Sequence, residues 1–285
     1  MPVKIITTVS EMQNYSRGFS KAGKTIGFVP TMGYLHKGHL SLVKKSKETC
    51  DITVVSIFVN PTQFAPNEDL AKYPRDFERD KKLLEETGCD AIFFPDSAEI
   101  YPDSFQSYVD VTKITRILEG AYRPTHFKGV TTIVSILFNC VKPDCAFFGQ
   151  KDAQQAAVIK RMVKDLKIDI KINVEPIVRE DDGLAMSSRN IYLSKEDREN
   201  ALVLYKSLTL GKEMIEAGER NADKVIDAMS GRIAEVKSAR LDYIAIAKAE
   251  TFDLAFKLEP GKSYYMLIAC RIGATRLIDN FLVTV

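Results

Sequence analysis

Residues 24–60, KTIGFVPTMGYLHKGHLSLVKKSKETCDITVVSIFVN, decide the fold. Residues 24–30 form a short β-leaning run, and residues 39–49 place leucine and valine at helical spacing with lysines outside. Residues 52–60 are a nearly continuous β-branched and aromatic run, the pattern of a strand buried on both faces. Between the first strand and the helix lies a turn carrying Gly33 and the pair His36 and His39. Strand, turn, helix and strand in this order make one unit of a parallel sheet.

Further along, the unit repeats. Residues 75–87 read as a charged helix stopped by Gly88, and residues 91–94 as a strand stopped by Pro95. A buried helix is expected at 130–141 and a strand at 144–148. An amphipathic helix capped by Asp152 follows at 152–166, then a strand at 170–178. Alternation of this kind implies a parallel sheet covered on both faces, and right-handed crossovers make it doubly wound and Rossmann-like. Ligands in such sheets bind beyond the carboxyl ends of the strands. After residue 184 the pattern changes to two helices, 195–216 and 222–237, and three β-leaning runs, 241–247, 264–271 and 277–283. The expected organisation is an α/β domain over 1–184 and a smaller α+β domain over 185–285.

Bulk composition narrows the class. The 285 residues are 45% hydrophobic and 27% charged, ordinary values for a soluble globular protein. Forty basic and 38 acidic residues leave a net charge of +2 with no basic run, which argues against a nucleic-acid partner. The apolar stretch 130–141 is interrupted by Thr131, Thr132, Ser135 and Asn139 and is too short for a bilayer, which needs about 20 residues. The N-terminus, MPVKIITT, soon turns polar, so no signal peptide is expected. Five cysteines, at 50, 89, 140, 145 and 270, form no Cys-x-x-Cys; reduced thiols in the cytoplasm are expected.

Three constellations carry chemistry. In PTMGYLHKGHL (30–40), two imidazoles sit three residues apart where a helix opens at His39, beside its unpaired N–H groups and positive dipole end. That is a polyphosphate site. A plain turn with surface histidines, or a zinc site on the His pair, are the alternatives; no third ligand lies nearby in sequence. The third histidine, His126, falls in a polar loop before a helix and on no expected core face. In FFGQKDAQQ (147–155), Lys151 projects from another strand end, where it can meet phosphate or sit idle in a βα turn. In GLAMSSRN (183–190), two hydroxyls and a guanidinium follow an acidic, glycine-bearing loop that can close over a triphosphate or simply link two domains.

The His-x-Gly-His turn and the Met-Ser-Ser-Arg loop resemble the paired signatures of the nucleotidylyl-transferase superfamily. The fuller strings PTMGYLHKGHL, FVNPTQF (58–64), THFKGV (125–130), FGQKDAQQ (148–155), LAMSSRNIYL (184–193) and RLIDN (276–280) are similar to those of the pantothenate synthetase (pantoate–β-alanine ligase) family. Gln150 and Ala153 depart from it, where glutamate and tyrosine are common. The resemblance implies an ATP-dependent condensation of pantoate with β-alanine through a pantoyl adenylate, releasing AMP and pyrophosphate. It further implies ATP as substrate, Mg2+ on the triphosphate, no dedicated metal site, no membrane partner and a homodimer. His36, His39, Lys151, Ser187, Ser188 and Arg189 would act on the phosphates, with His39 as proton donor. Met32, Gly33, Tyr34, Leu35, Lys37, Gly38, Gly149, Gln150, Asp152, Val178 and Met186 would line the nucleotide site. Gln63 and Gln155 would hold pantoate, Gln63 also placing β-alanine, with Asn60 and Arg123 as weaker candidates. Another nucleotidylyl transferase, or a non-catalytic ATP-sensing module, are the competing readings.

Overall fold

The computed structural model describes residues 2–66 and 68–285. The chain divides into two compact units, Met1–Gly149 with Val158–Pro176, and Gln150–Ala157 with Ile177–Val285.

The first unit is built on six strands: β1 (Lys4–Ile6), β2 (Ile26–Thr31), β3 (Ile52–Ile57), β4 (Ala91–Phe93), β5 (Cys145–Gly149) and β6 (Lys171–Glu175). They pair in the order β1-β4-β3-β2-β5-β6, every pair parallel. The helices are α1 (Val9–Lys21), α2 (Lys37–Thr49), α3 (Phe77–Thr87), the single turns α4 (Ser97–Ile100) and α5 (Glu119–Tyr122), α6 (His126–Val141) and α7 (Ala153–Leu166), the last contributing residues to both units.

The strand side chains alternate between two cores, as a period of two requires. Ile26 and Phe28 of β2, Ile52 and Val54 of β3, and Ala146 and Phe148 of β5 pack with Met12 of α1 and with Val130, Ile133, Val134, Leu137 and Phe138 of α6. Val29, Val55, Ile57 and Phe147 face the other way, onto Leu42 and Val43 of α2 and Leu84 of α3. Both faces are thus covered, and the expected doubly wound sheet is what forms. The order reverses at β2, which has β3 on one side and β5 on the other. The carboxyl ends of β2 and β5 therefore flank the topological switch point, the ligand crevice of open α/β sheets.

The second unit contains α8 (Lys195–Asn200), α9 (Leu202–Glu216), α10 (Ala222–Ala234) and an antiparallel sheet of β7 (Ala239–Lys248), β8 (Ser263–Ile272) and β9 (Thr275–Thr284). Leu204, Leu208 and Ile215 of α9 and Val225, Met229 and Ile233 of α10 pack on Ile246, Met266, Ile268 and Leu277. The expected helix 195–216 is two helices meeting at Ala201, which closes α8 and opens α9. Among the described residues no helix is long and apolar enough to cross a membrane.

Candidate active site

β2 ends at Thr31, and the chain then turns back on itself to enter α2. Gly33 and Tyr34 both adopt positive φ, 84° and 51°. Glycine is needed first, since a Cβ at 33 would come within 3.0 Å of Ile57 and 3.1 Å of Asp80 Oδ2. Tyr34 is held in its unusual conformation by Asp80 of α3. The Tyr34 and Leu35 amides donate to its Oδ2 and Oδ1 at 2.6 and 2.7 Å. Arg79 braces the same turn, donating to Leu35 O at 2.8 Å, with its guanidinium 4.9 Å from the Tyr34 ring centre. Burial pushes the Asp80 carboxyl up, and the two amide hydrogen bonds oppose it. The sequence gives no hint of this role: Asp80 lies in ERDKKLLEE, which reads as a solvated helix, yet it is 1% exposed.

The turn delivers the two histidines as a reciprocal cap. Helix α2 begins at Lys37 rather than at His39, and His36 is its N-cap. His36 Nδ1 accepts from Gly38 N at 3.1 Å, and His39 Nδ1 accepts from His36 N at 3.3 Å. The pair makes a capping box with imidazoles in place of hydroxyl and carboxylate. A neutral imidazole whose Nδ1 accepts must carry its proton on Nε2. Both rings, 4.0 Å apart, are therefore Nε2–H donors at the positive end of a helix, the arrangement that suits phosphate oxygens. Of the neighbouring candidates, Lys37 is exposed, Gly33 and Leu35 are buried, and Met32, Tyr34 and Gly38 are half-buried.

Gln63 sits in a 3-10 turn, Pro61–Gln63, just after β3. Its Nε2 donates to Met32 Sδ at 2.9 Å, joining this turn to the one after β2. One amide hydrogen thus goes to a weak acceptor. Asn60 fixes the other end: its Nδ2 donates to Gln63 Oε1 and Gly129 O, while its Oδ1 accepts from Thr62 and Tyr101 hydroxyls. Asn60 is 1% exposed and fully committed, so it shapes the Gln63 turn. Arg123 is engaged as well, forking onto Glu68 at 2.7 and 2.6 Å and donating to Gln63 O at 3.3 Å.

His126 departs from expectation. It is the first residue of α6 and is 9% exposed, with Nδ1 3.0 Å from Gln63 O. A carbonyl only accepts, so Nδ1 carries the hydrogen, the opposite tautomer from His36 and His39. Burial, with the Arg123 charge beside it, pulls the imidazole down to about 4. In the unfolded chain the same group protonates near pH 6.5. The unfolded state therefore binds the extra proton first as pH falls, and folding free energy drops between about pH 6.5 and 4. At about 1.4 kcal/mol per pH unit, the loss approaches about 3 kcal/mol at pH 4. Urea unfolding across that window should show it, and His126→Gln should flatten this part of the slope. An unchanged slope would place the proton elsewhere.

The remaining candidates, apart from Gly149 at the end of β5, lie in the second unit. Gln150, Lys151 and Asp152 form a 3-10 turn before α7, and Lys151 Nζ is 3.7 Å from Asp152 Oδ1. Asn280 of β9 donates to both Gln150 O and Lys151 O, at 2.9 and 3.0 Å. Gln155, in the first turn of α7, is half-buried. Val178 and Met186 are brought together, Met186 N donating to Val178 O at 3.0 Å.

What reads as a flexible loop between them is a tied hairpin. Arg179 bridges Ala185, and Glu180 N donates to Leu184 O. Arg198 holds Glu180 and Asp182, and Asn190 Nδ2 holds Glu180 and Ala185 O. Glu180 and Asp182 of this acidic segment are thus ion-paired to Arg198 of α8. Ser187 then caps the 3-10 turn Ser188–Tyr192 by accepting from Arg189 N at 3.2 Å, with Ser188 buried and Arg189 half-buried.

A doubly wound sheet whose switch-point strand leads into a helix capped by paired imidazoles defines a Rossmann-like α/β protein. The model of the pantoate-beta-alanine ligase family matches residues 4–282. A pantothenate synthetase of Caldicellulosiruptor saccharolyticus is 56% identical over 281 residues, 99% of each chain. The crystal structure of pantothenate synthetase from Thermus thermophilus superposes with a TM-score of 0.92 at 42% identity, covering 98% of this chain and 99% of that one. The Francisella tularensis pantoate-beta-alanine ligase, complexed with beta-gamma ATP and beta-alanine, matches with a TM-score of 0.79 at 37% identity over 98% and 97% of the two chains. The chain belongs to the pantoate–β-alanine ligase family.

Proposed function

We propose that this chain joins pantoate to β-alanine with consumption of ATP, in two half-reactions. The pantoate carboxylate attacks the α-phosphorus of ATP and expels pyrophosphate. The β-alanine amine then attacks the acyl carbon of the pantoyl adenylate, loses a proton and expels AMP. The observation that carries this reading is the reciprocal cap at the switch point, which fixes His36 and His39 as Nε2–H donors.

The substrate supplies the nucleophile, so the protein's task is positioning and stabilising charge on phosphate oxygens. His36 and His39 contact the phosphates through Nε2–H, His39 donating its proton in a hydrogen bond to the oxygen where charge builds. Lys151, Ser187, Ser188 and Arg189 hold the β- and γ-phosphates as they leave. Met32, Gly33, Tyr34, Leu35, Lys37, Gly38, Gly149, Gln150, Asp152, Val178 and Met186 line the nucleotide. Gln63 and Gln155 bind pantoate, and the smaller domain closes over the nucleotide. Histidine, lysine, serine and arginine suit phosphate oxygens, and among the described residues no three His, Cys, Asp or Glu side chains gather where an ion could sit. Mg2+ would be carried on the triphosphate, bound largely through ATP itself. A cytoplasmic homodimer completes the reading; five free thiols fit that compartment, and light scattering would report the assembly.

Incubation with pantoate, β-alanine and ATP should yield AMP; ADP would instead mean an acyl-phosphate route. The pantoate assignment has its own test. A neutral amide leaves the attacking carboxylate nucleophilic, where an arginine would stabilise it mainly in the ground state. Gln155→Glu replaces a donor with an acceptor and adds charge. A lost hydrogen bond that leaves a buried polar partner unpaired costs about 1–3 kcal/mol, and more when the partner is charged, so pantoate should bind at least about tenfold to a hundredfold more weakly, with ATP affinity changed far less. Separate titrations decide it: a damaged ATP constant beside an intact pantoate constant overturns the role of Gln155.

A further inference from the structure

Asn280 lies on β9 with no exposed surface, yet the hydrogen bonds of its amide all go to a distant turn. Both Nδ2 hydrogens are committed to consecutive carbonyls, Gln150 O at 2.9 Å and Lys151 O at 3.0 Å. Its Oδ1 accepts from Gln150 Nε2 at 3.1 Å, so the amide cannot turn over without losing three bonds. The backbone beneath Asn280 is anchored in turn. Asp279, 3% exposed, accepts from Asn280 N at 2.7 Å and takes both Nη atoms of Arg179 at 2.6 and 2.8 Å. The same guanidinium donates to Asn280 O and Gly183 O and lies against the edge-to-face pair of Tyr205 and Phe281 rings, 5.0 and 4.9 Å from their centres.

A buried ion pair contributes little net stability over a well-packed apolar substitute, so this one is better explained by what it orients. It ties together the 3-10 turn that carries Lys151 and the hairpin that leads into Ser187, Ser188 and Arg189. We infer that Asn280 is a positioning residue for Lys151, its amide holding the lysine's backbone in one orientation. Asp279 and Arg179 serve as its foundation. The inference rests on the reading of Lys151 as a phosphate-binding group.

A double-mutant cycle on the full chain tests it, reading adenylation alone as pantoate-dependent exchange of labelled pyrophosphate into ATP. Asn280→Ala should slow exchange about tenfold to a hundredfold with the pantoate KM unchanged. In a Lys151→Ala background the same substitution should cost less than about twofold, because there is no longer a lysine to orient. A purely structural role would give the same loss in both backgrounds, and that result, or a wild-type rate for Asn280→Ala, overturns the inference while leaving Lys151's role intact. Unchanged exchange in Lys151→Ala alone overturns both. Should Asn280→Ala not fold, Asn280→Asp takes its place: it keeps the shape and the Gln150 bond and sets a carboxylate oxygen against the two carbonyls.

Discussion

Replacing His39 with asparagine is expected to leave the fold standing while slowing adenylate formation about a hundredfold or more, the range of a lost hydrogen-bond donor to developing negative charge. The imidazole has two separable duties. Its Nδ1 accepts from His36 N and completes the helix cap, and its Nε2 carries the proton assigned to the phosphates. An asparagine Oδ1 reaches about as far as Nδ1 and also accepts, so His39→Asn keeps the cap. Nothing in it reaches the position of Nε2. His39→Gln does the reverse, placing an amide N–H near Nε2 while giving up the cap, and should recover part of the rate with a lower melting temperature. Thermal melts and pyrophosphate exchange, run on both variants, separate the two duties. A His39→Asn enzyme that melts normally and exchanges at the wild-type rate would remove His39 from the chemistry.

Lys151→Ala is expected to cost about a hundredfold or more in the same half-reaction, equivalent to about 3 kcal/mol of transition-state stabilisation. The side chain is only 21% exposed, and its ion pair with Asp152 is a long one, 3.7 Å. In the proposed role this cation contributes most as charge builds on departing pyrophosphate. Single-turnover measurements should find adenylation slowed and the later amine step unaffected. Normal adenylation with a slow amine step would reassign the lysine to the second half-reaction.

The sheet is readable because its central strands are long in apolar signal. Residues 52–60 announce a strand buried on both faces, and β3 forms within them. The edge is not readable. β1 is three residues long and holds its place by pairing with Ala91, Ile92 and Phe93, far along the chain. Helix α1 does leave a local mark: Thr8 followed three residues later by Glu11, with Val9, Met12, Tyr15, Ser16 and Phe19 on one face, obscured by a polar composition. The site divides along the same line. Motif residues stand out because phosphate chemistry calls for imidazole, ammonium and guanidinium at strand ends. Their supports are generic in type and remote in sequence: Asp80, 46 residues from the Tyr34 amide it accepts from, and Asn280, 129 residues from the Lys151 carbonyl it holds. Ordinary polar residues acquire such duties only when folding buries them.

Attempts to widen the acid specificity would meet a wall at Gly129. Helix α6 crosses the Gln63 turn backbone against backbone: a Cβ at 129 would stand 2.5 Å from Thr62 O and 2.6 Å from the Gln63 backbone. Even alanine there must push the turn away, and with it the Gln63 side chain proposed to hold pantoate. A library that randomises this position would therefore be dominated by misplaced Gln63 rather than by enlarged pockets. Diversity is better directed at side chains that face the ligand, with Gly129 held fixed as the hard floor of the design.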